Sequence, residues 1–195
     1  MSIFQLYLNL GFNHIADLHA YDHILFIVTL CAAYSFSQWK KVLILVTGFT
    51  IGHSLTLALA TLNILKVNVD WIEFLIPFTI FLTAFANLLQ KSGKVSKGRH
   101  LFKYFIATFF GLIHGLGFST YLKSLLGQED NIIIPLLAFN IGIELGQIII
   151  VALVMAITWI LVDLFHVNKR EWVLILSGAG LGVSLVMMME RFPGF

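Results

Sequence analysis

The sequence predicts an all-α protein: a polytopic membrane helical bundle of six transmembrane helices, both termini on the outer side, with a short N-terminal interfacial or re-entrant segment. Three observations carry this expectation. Of 195 residues, 59% are hydrophobic and only 11% are charged, and mean hydropathy is +0.93; a soluble domain carries about a quarter charged residues. Six segments approach the ~20 apolar residues that a spanning helix needs: roughly 21–38, 42–65, 71–90, 104–126, 132–163 and 172–190. Finally, nine of the twelve basic residues gather in the loops of one side, as the positive-inside rule requires of the cytoplasmic face.

Taken in order, the first eighteen residues alternate Ile3, Leu6, Leu8 and Phe12 with polar groups. That pattern suits an interfacial helix, a re-entrant piece or a frayed start to the first span. Met1–Gly11 has no Lys or Arg ahead of its apolar stretch and no small-residue cleavage site after it, unlike a signal peptide. Lys40 and Lys41 follow span one. Lys91, Lys94, Lys97, Arg99 and Lys103 follow span three, and Lys169 and Arg170 follow span five. The opposite side holds Lys66, Lys123 and Arg191 together with Asp70, Glu129 and Asp130. Span five is long enough to tilt, kink or project from the bilayer. Tyr7, Tyr21, Trp39, Trp71, Tyr104 and Trp172 near span ends read as interfacial anchors. Residues 1–195 therefore read as one integral membrane domain with no convincing repeat. The lone Cys31 permits no internal disulfide, and a formal charge of +2 gives no basis for nucleic-acid binding.

Ionisable groups inside spans are costly and mark function by default. They occur at five places: His14-Ile-Ala-Asp17-Leu-His19-Ala-Tyr-Asp22-His23; Gly52-His53-Ser54; Gly111-Leu-Ile-His114-Gly115; Asn140-x-Gly142-x-Glu144-x-Gly146-Gln147; and Glu73. At about 1.5 Å rise per residue, His53 lies roughly 16 Å into span two and His114 roughly 15 Å into span four. Asn140, Glu144 and Gln147 stand at i, i+4 and i+7, on one face of span five. His19 and His23 share a face if that stretch is helical. All of these can gather between the outer face and the midplane.

A single histidine usually means one interhelical hydrogen bond. Several at one depth, with carboxylates, are more economically one site for a divalent transition metal such as zinc, nickel or cobalt. The expected ligands are His14, Asp22, His23, His53, His114 and Glu144, oriented by Asp17, His19, Ser54, Asn140 and Gln147. Glu73, beside Trp71, reads as an edge residue, and His100 and His166 as solvated. Gly48-x3-Gly52, Gly111-x3-Gly115, Gly142-x3-Gly146 and Gly178-x3-Gly182 have the small-residue spacing that lets helices approach closely.

At these residues the chain resembles the HupE/UreJ family of hydrogenase and urease accessory membrane proteins, in its branch of short six-span members. The matching pieces are His14-Ile-Ala-Asp17 with Tyr21-Asp22-His23-Ile-Leu-Phe26, Phe49-Thr-Ile-Gly-His53-Ser54-Leu-Thr-Leu57, Gly111-Leu-Ile-His114-Gly115-Leu-Gly-Phe118 and Phe139-Asn140-x-Gly142-x-Glu144-x-Gly-Gln147. The resemblance implies a multi-pass bacterial inner-membrane protein that moves nickel or cobalt. Nickel-permease members carry a second histidine and a glutamate in the later His-Gly motif. Here His114-Gly115 lacks both, and Glu144 would substitute.

Three functions fit. A metal permease would capture the ion at His14, Asp22 and His23 and hold it deeper at His53, His114 and Glu144, with Thr108, Thr47 and Asn87 as the few polar steps beyond. A zinc-dependent intramembrane hydrolase of a lipid, amide or peptide substrate would use Glu144 or Asp22 as general base, with Ser54 next to His53. A metal-sensing or accessory subunit would partner a metalloenzyme-maturation system. The expected partners are the lipid bilayer, the metal ion and either a second copy or that maturation partner.

Overall fold

The computed structural model describes residues 1–18, 20–90, 97–126 and 131–194. His19, Lys91, Lys94, Glu129 and Asp130 lie outside the described residues. No strand occurs among those described. The helices are α1 (Ile3–Ala16), α2 (Asp22–Ala32), α3 (Trp39–Thr61), α4 (Val69–Leu89), α5 (Lys97–Gly117), α6 (Ser119–Leu126), α7 (Ile133–Thr158) and α8 (Lys169–Glu190).

Four helical stretches are long and apolar enough to cross a membrane: Phe36–Thr61, Val69–Leu89, Ile133–Leu164 and Lys169–Glu190. A fifth candidate is bent by 54° between Leu101–Gly117 and Ser119–Leu126. The expected fourth span is thus two helices, because Gly115 and Gly117 weaken the last turn of α5 and the Ser119 hydroxyl donates to the Leu116 carbonyl at 2.6 Å. The expected first span differs more. Its apolar run forms only α2, eleven residues, or about 16 Å, well short of the ~30 Å hydrocarbon thickness. Beyond its end the Ser35 backbone N–H donates to Gln38 Oε1 at 3.2 Å, opening a separate 3₁₀ turn at Phe36–Gln38. A hydropathy window cannot see that cap.

The N-terminal segment is a well-formed helix. Ser2 Oγ accepts from the Gln5 N–H and Gln5 Oε1 accepts from the Ser2 N–H, a reciprocal cap at 3.2 Å each way. This α1 does not lie across the bundle. It runs along α7 in the same direction, Leu8 against Gly142 and Ile15 against Gly146, with Tyr7, Gly11 and Ile15 buried. α2 then continues the same course, since the Thr29 carbonyl accepts from Asn87 Nδ2 at 2.8 Å near the far end of α4.

The other pairs follow from similar contacts. α3 and α5 run parallel, with Gly48 and Gly52 against Thr108 and Gly115 against His53 and Thr56. α4 and α8 run antiparallel. Arg170, in the first turn of α8, donates to the carbonyls of Asn87, Leu88 and Gln90, satisfying orphan acceptors at the end of α4. Lys169 donates to Ser35 Oγ at the same end of the bundle. α7 continues through a π-helical stretch, Trp159–Leu164, so the long fifth segment is one continuous helix of 32 residues.

Three of the four small-residue motifs meet a neighbouring helix. A Cβ added at Gly11, Gly142, Gly52 or Gly111 would collide with a backbone carbonyl of the facing helix, at Phe139, Leu8, Thr108 and Phe49 respectively. Gly178 and Gly182 meet nothing within 4 Å, so that motif on α8 has no partner helix among the described residues. Gly11→Ala and Gly142→Ala should therefore each cost about 1–3 kcal/mol through overpacking. Gly178→Ala and Gly182→Ala should be neutral or slightly stabilising. Thermal unfolding of the detergent-solubilised protein compares the two pairs directly.

Candidate metal centre

Four helices each present one imidazole to a common space. His14 is in the last turn of α1, His23 in the first turn of α2, His53 inside α3 and His114 in the last turn of α5. Ring centroids are 4.7 Å apart for His14 and His23, 5.8 Å for His14 and His53, 5.7 Å for His23 and His53, and 5.3 Å for His23 and His114. His53 is 0% exposed, His114 1%, His23 4% and the neighbouring Asp22 7%. The close backbone contacts explain the convergence. Gly11 and Gly111 each precede a histidine by three residues, about one turn, and Gly52 directly precedes His53. The points where helices touch are thus the points from which the rings project.

Hydrogen bonding fixes part of the cluster. The Thr79 hydroxyl donates to the Ile76 carbonyl at 2.7 Å, so its oxygen can only accept from His114 Nε2, 2.9 Å away. With the proton of His114 on Nε2, its Nδ1 is left buried without a partner. The Asp22 carboxylate lies 2.9 Å from His23 Nδ1, but off the ring's N–H axis, so the contact is Coulombic and that nitrogen has no formal hydrogen bond. Asp22 Oδ1 also accepts the His23 backbone N–H at 2.8 Å. His14 Nε2, His23 Nε2 and both nitrogens of His53 are buried without a partner. Buried polar atoms left this way cost stability unless something completes them.

Around the rings the surroundings are aromatic and helix-terminal. Phe118 packs on His14 with centroids 3.9 Å apart, and Phe139 stacks behind it at 5.4 Å. α1 and α5 both end at the cluster, bringing two helix C-termini with partial negative charge, and α2 starts there, bringing one N-terminus with partial positive charge. A cavity of about 730 Å³ leads in, lined by His14, Asp22, His23, His114, Glu73 and Arg191 among others. At its mouth Arg191 Nη1 lies 3.4 Å from Asp22 Oδ2 and 3.1 Å from Glu73 Oε2. On the opposite side, one helical turn from their histidines, Phe26, Phe49 and Phe110 form a floor. Phe26 and Phe49 stack at 4.8 Å, and Phe26 meets Phe110 at 6.3 Å.

The donor set fits a borderline divalent ion: imidazole nitrogens with lone pairs, one carboxylate and orphaned atoms that an ion would satisfy. It is not a formed coordination sphere, because among the described residues no three His, Cys, Asp or Glu side chains stand close enough to hold an ion as they are.

The other expected residues have separate settings. Asp17 lines the cavity, and Ser54 is half-buried beside His53. Glu144 sits on the seam between α3 and α7, where its Oε1 accepts from the Thr47 hydroxyl at 2.6 Å. One step along, Gln147 Oε1 accepts from Thr50 at 2.7 Å. Asn140 Oδ1, Glu144 Oε2 and Gln147 Nε2 are buried without partners. Three residues escaped the sequence reading. Thr79 gave no signal, being one hydroxyl in an apolar span. Glu73 reads from sequence only as an edge residue beside Trp71. Arg191 reads only as part of the charge balance between the two sides, although a lone Arg among acids on the low-charge side is a usable clue.

A family model described as HupE / UreJ protein matches residues 1–191. The chain belongs to the HupE/UreJ family. Neither a curated protein nor a solved structure matches it significantly. The segments that resemble HupE/UreJ members supply all four clustered histidines, and they come from helices distant in sequence but joined by the glycine contacts. Thr79, on α4, lies outside those segments and holds one of the rings. Thr79→Val should leave His114 Nε2 unpaired in a buried site and cost about 1–3 kcal/mol, read as a lowered unfolding temperature; Thr79→Ser should retain most of the stability.

Proposed function

We propose that this HupE/UreJ member is a divalent transition-metal-binding membrane protein acting as a nickel- or cobalt-type permease, with the ion as cargo held by His14, Asp22, His23, His53 and His114. The observation that carries the reading is the set of buried, unpartnered imidazole nitrogens from four helices beside one carboxylate, with His14, His23 and His114 lining one cavity and His53 packed behind them. Nickel, cobalt and zinc all accept that donor set. His114 donates Nε2–H to Thr79 and offers Nδ1, the arrangement by which a second hydrogen bond orients a metal-binding imidazole.

The helix directions support six crossings if α1 and α2 are counted as one crossing broken between Ala16 and Asp22 and α5 with α6 as another. α1–α2, α4 and α7 then run inward and α3, α5 and α8 outward, with both termini outside. Lys40, Lys41, Lys103, Lys169 and Arg170 fall at the inner end, as expected for a bacterial inner-membrane protein. The cavity opens outward, and the Phe26–Phe49–Phe110 floor closes the site toward the inside. Passage requires these rings to part. Glu144, with Asn140 and Gln147, is a proposed ligand for a later stage of passage, since Glu144 Oε2 and Asn140 Oδ1 are unpartnered acceptors. A zinc-dependent hydrolase would draw on the same histidines with Asp22 as its general base, Glu144 being engaged by the Thr47 hydroxyl, and the vesicle measurement below separates it from a permease.

Titration of the purified full chain with Ni²⁺, Co²⁺ and Zn²⁺ should detect binding of at least one. His53→Ala and His114→Ala should each weaken it by about tenfold or more. Vesicles holding the protein should accumulate the bound ion, and the two variants should not. Binding unchanged in both variants overturns the site; binding without accumulation favours an accessory or sensing role over a permease. Cysteine-accessibility labelling should place residue 40 inside and residue 194 outside.

A further inference from the structure

The cavity also holds one charge of the sign opposite to its carboxylates. Arg191, at the C-terminal end of α8, brings a guanidinium to the mouth of a site that should attract cations. It bridges two carboxylates from two other helices: Asp22 Oδ2 on α2 at 3.4 Å and Glu73 Oε2 on α4 at 3.1 Å. Asp22 is buried, whereas Glu73 and Arg191 are partly exposed, their side chains 40% and 29% accessible. The arrangement is therefore asymmetric: one carboxylate points into the histidine cluster and the other toward the opening.

We propose that Arg191 is a tethered surrogate cation, which neutralises Asp22 while the site holds no ion and withdraws onto Glu73 when a divalent ion takes Asp22. The proposal rests on the metal-binding reading and adds a specificity element to it. A buried carboxylate with no counter-charge would be costly, and Arg191 supplies that charge from within the chain. An arriving ion must displace it. A dication that also gains several imidazole bonds can do so; a monovalent ion, which gains little from imidazole, cannot. Glu73 lowers the cost of displacement because the guanidinium keeps one partner after release. Arg191 thus sets a threshold on what loads, and Glu73 sets how low that threshold is.

Opposite responses from the two partners provide the test. In the purified full chain, Arg191→Gln should bind Ni²⁺ or Co²⁺ roughly two- to fivefold more tightly, the worth of one part-exposed ion pair. Its ion-free form should unfold at a lower temperature, and metal addition should raise that temperature by more than in the wild type. Glu73→Gln should bind more weakly by a similar factor, because Arg191 is then left with Asp22 alone. The double variant should behave like Arg191→Gln within about twofold, completing a double-mutant cycle, and Arg191→Lys should return affinity toward wild type. Affinity that falls in both single variants makes the pair a structural brace and overturns the proposal, as does an Arg191→Gln affinity equal to wild type. A wild type that binds no divalent ion, indistinguishable from His53→Ala, removes the metal-binding reading itself and the proposal with it.

Discussion

The approach of helix backbones at glycine governs everything else in this molecule. Apolar side chains cannot draw helices together in a bilayer, because the lipid is as apolar as they are. What remains is close packing, and it needs positions where no Cβ intervenes. Gly11 with Gly142 provides this for α1 against α7, and Gly52 with Gly111 and Gly115 for α3 against α5. These two pairs are parallel although their members are far apart in sequence. The chain therefore closes around the site by long-range contacts, not by hairpins of adjacent helices.

The same contacts impose a cost at the centre. Imidazoles that project from touching backbones are too crowded by Phe49, Phe118 and Phe139 for each to find its own hydrogen-bond partner. His53 has none. The surrounding fold must hold such rings in place, and it does so with features that lie elsewhere. Arg170 ties α8 to three carbonyls at the end of α4; Asn87 reaches the Thr29 carbonyl on α2; Thr79 fixes one ring of the cluster. These contacts brace the helices around the cluster, whose own polar atoms are left unsatisfied.

How much of this was legible in the sequence depended on which physical signal each feature left. Hydropathy marked α3, α4, α7 and α8 well because each is a long uninterrupted apolar run. It overextended the first span, since the cap at Ser35 is a local hydrogen bond within an apolar stretch, and it merged α5 with α6, where two glycines and a serine interrupt the helix. Helical rise and phase were enough to place His53 and His114 at a common depth, and those rings do share one neighbour, His23. The same arithmetic grouped Glu144 with them, but depth and face do not tell which neighbour a face meets; Glu144 meets Thr47. Arg191 and Glu73 could not be paired from sequence, because only the antiparallel packing of α4 and α8 brings the start of one beside the end of the other.

The phenylalanine floor has an electrical consequence. In the proposed topology, with the cavity open to water on the outer side, the dielectric barrier of the bilayer would narrow to the layer between the imidazoles and the inner end of the bundle. The membrane potential would then fall across that layer instead of the full hydrocarbon thickness. For the proposed orientation, an inside-negative potential pulls a dication at the histidines across the floor with a force that rises as the layer thins. At about 2.3 kcal/mol per elementary charge per 100 mV, two charges gain roughly twice that. Inward movement would then need no coupled ion. The aromatic seal that blocks the path would also concentrate the field that drives the cargo along it.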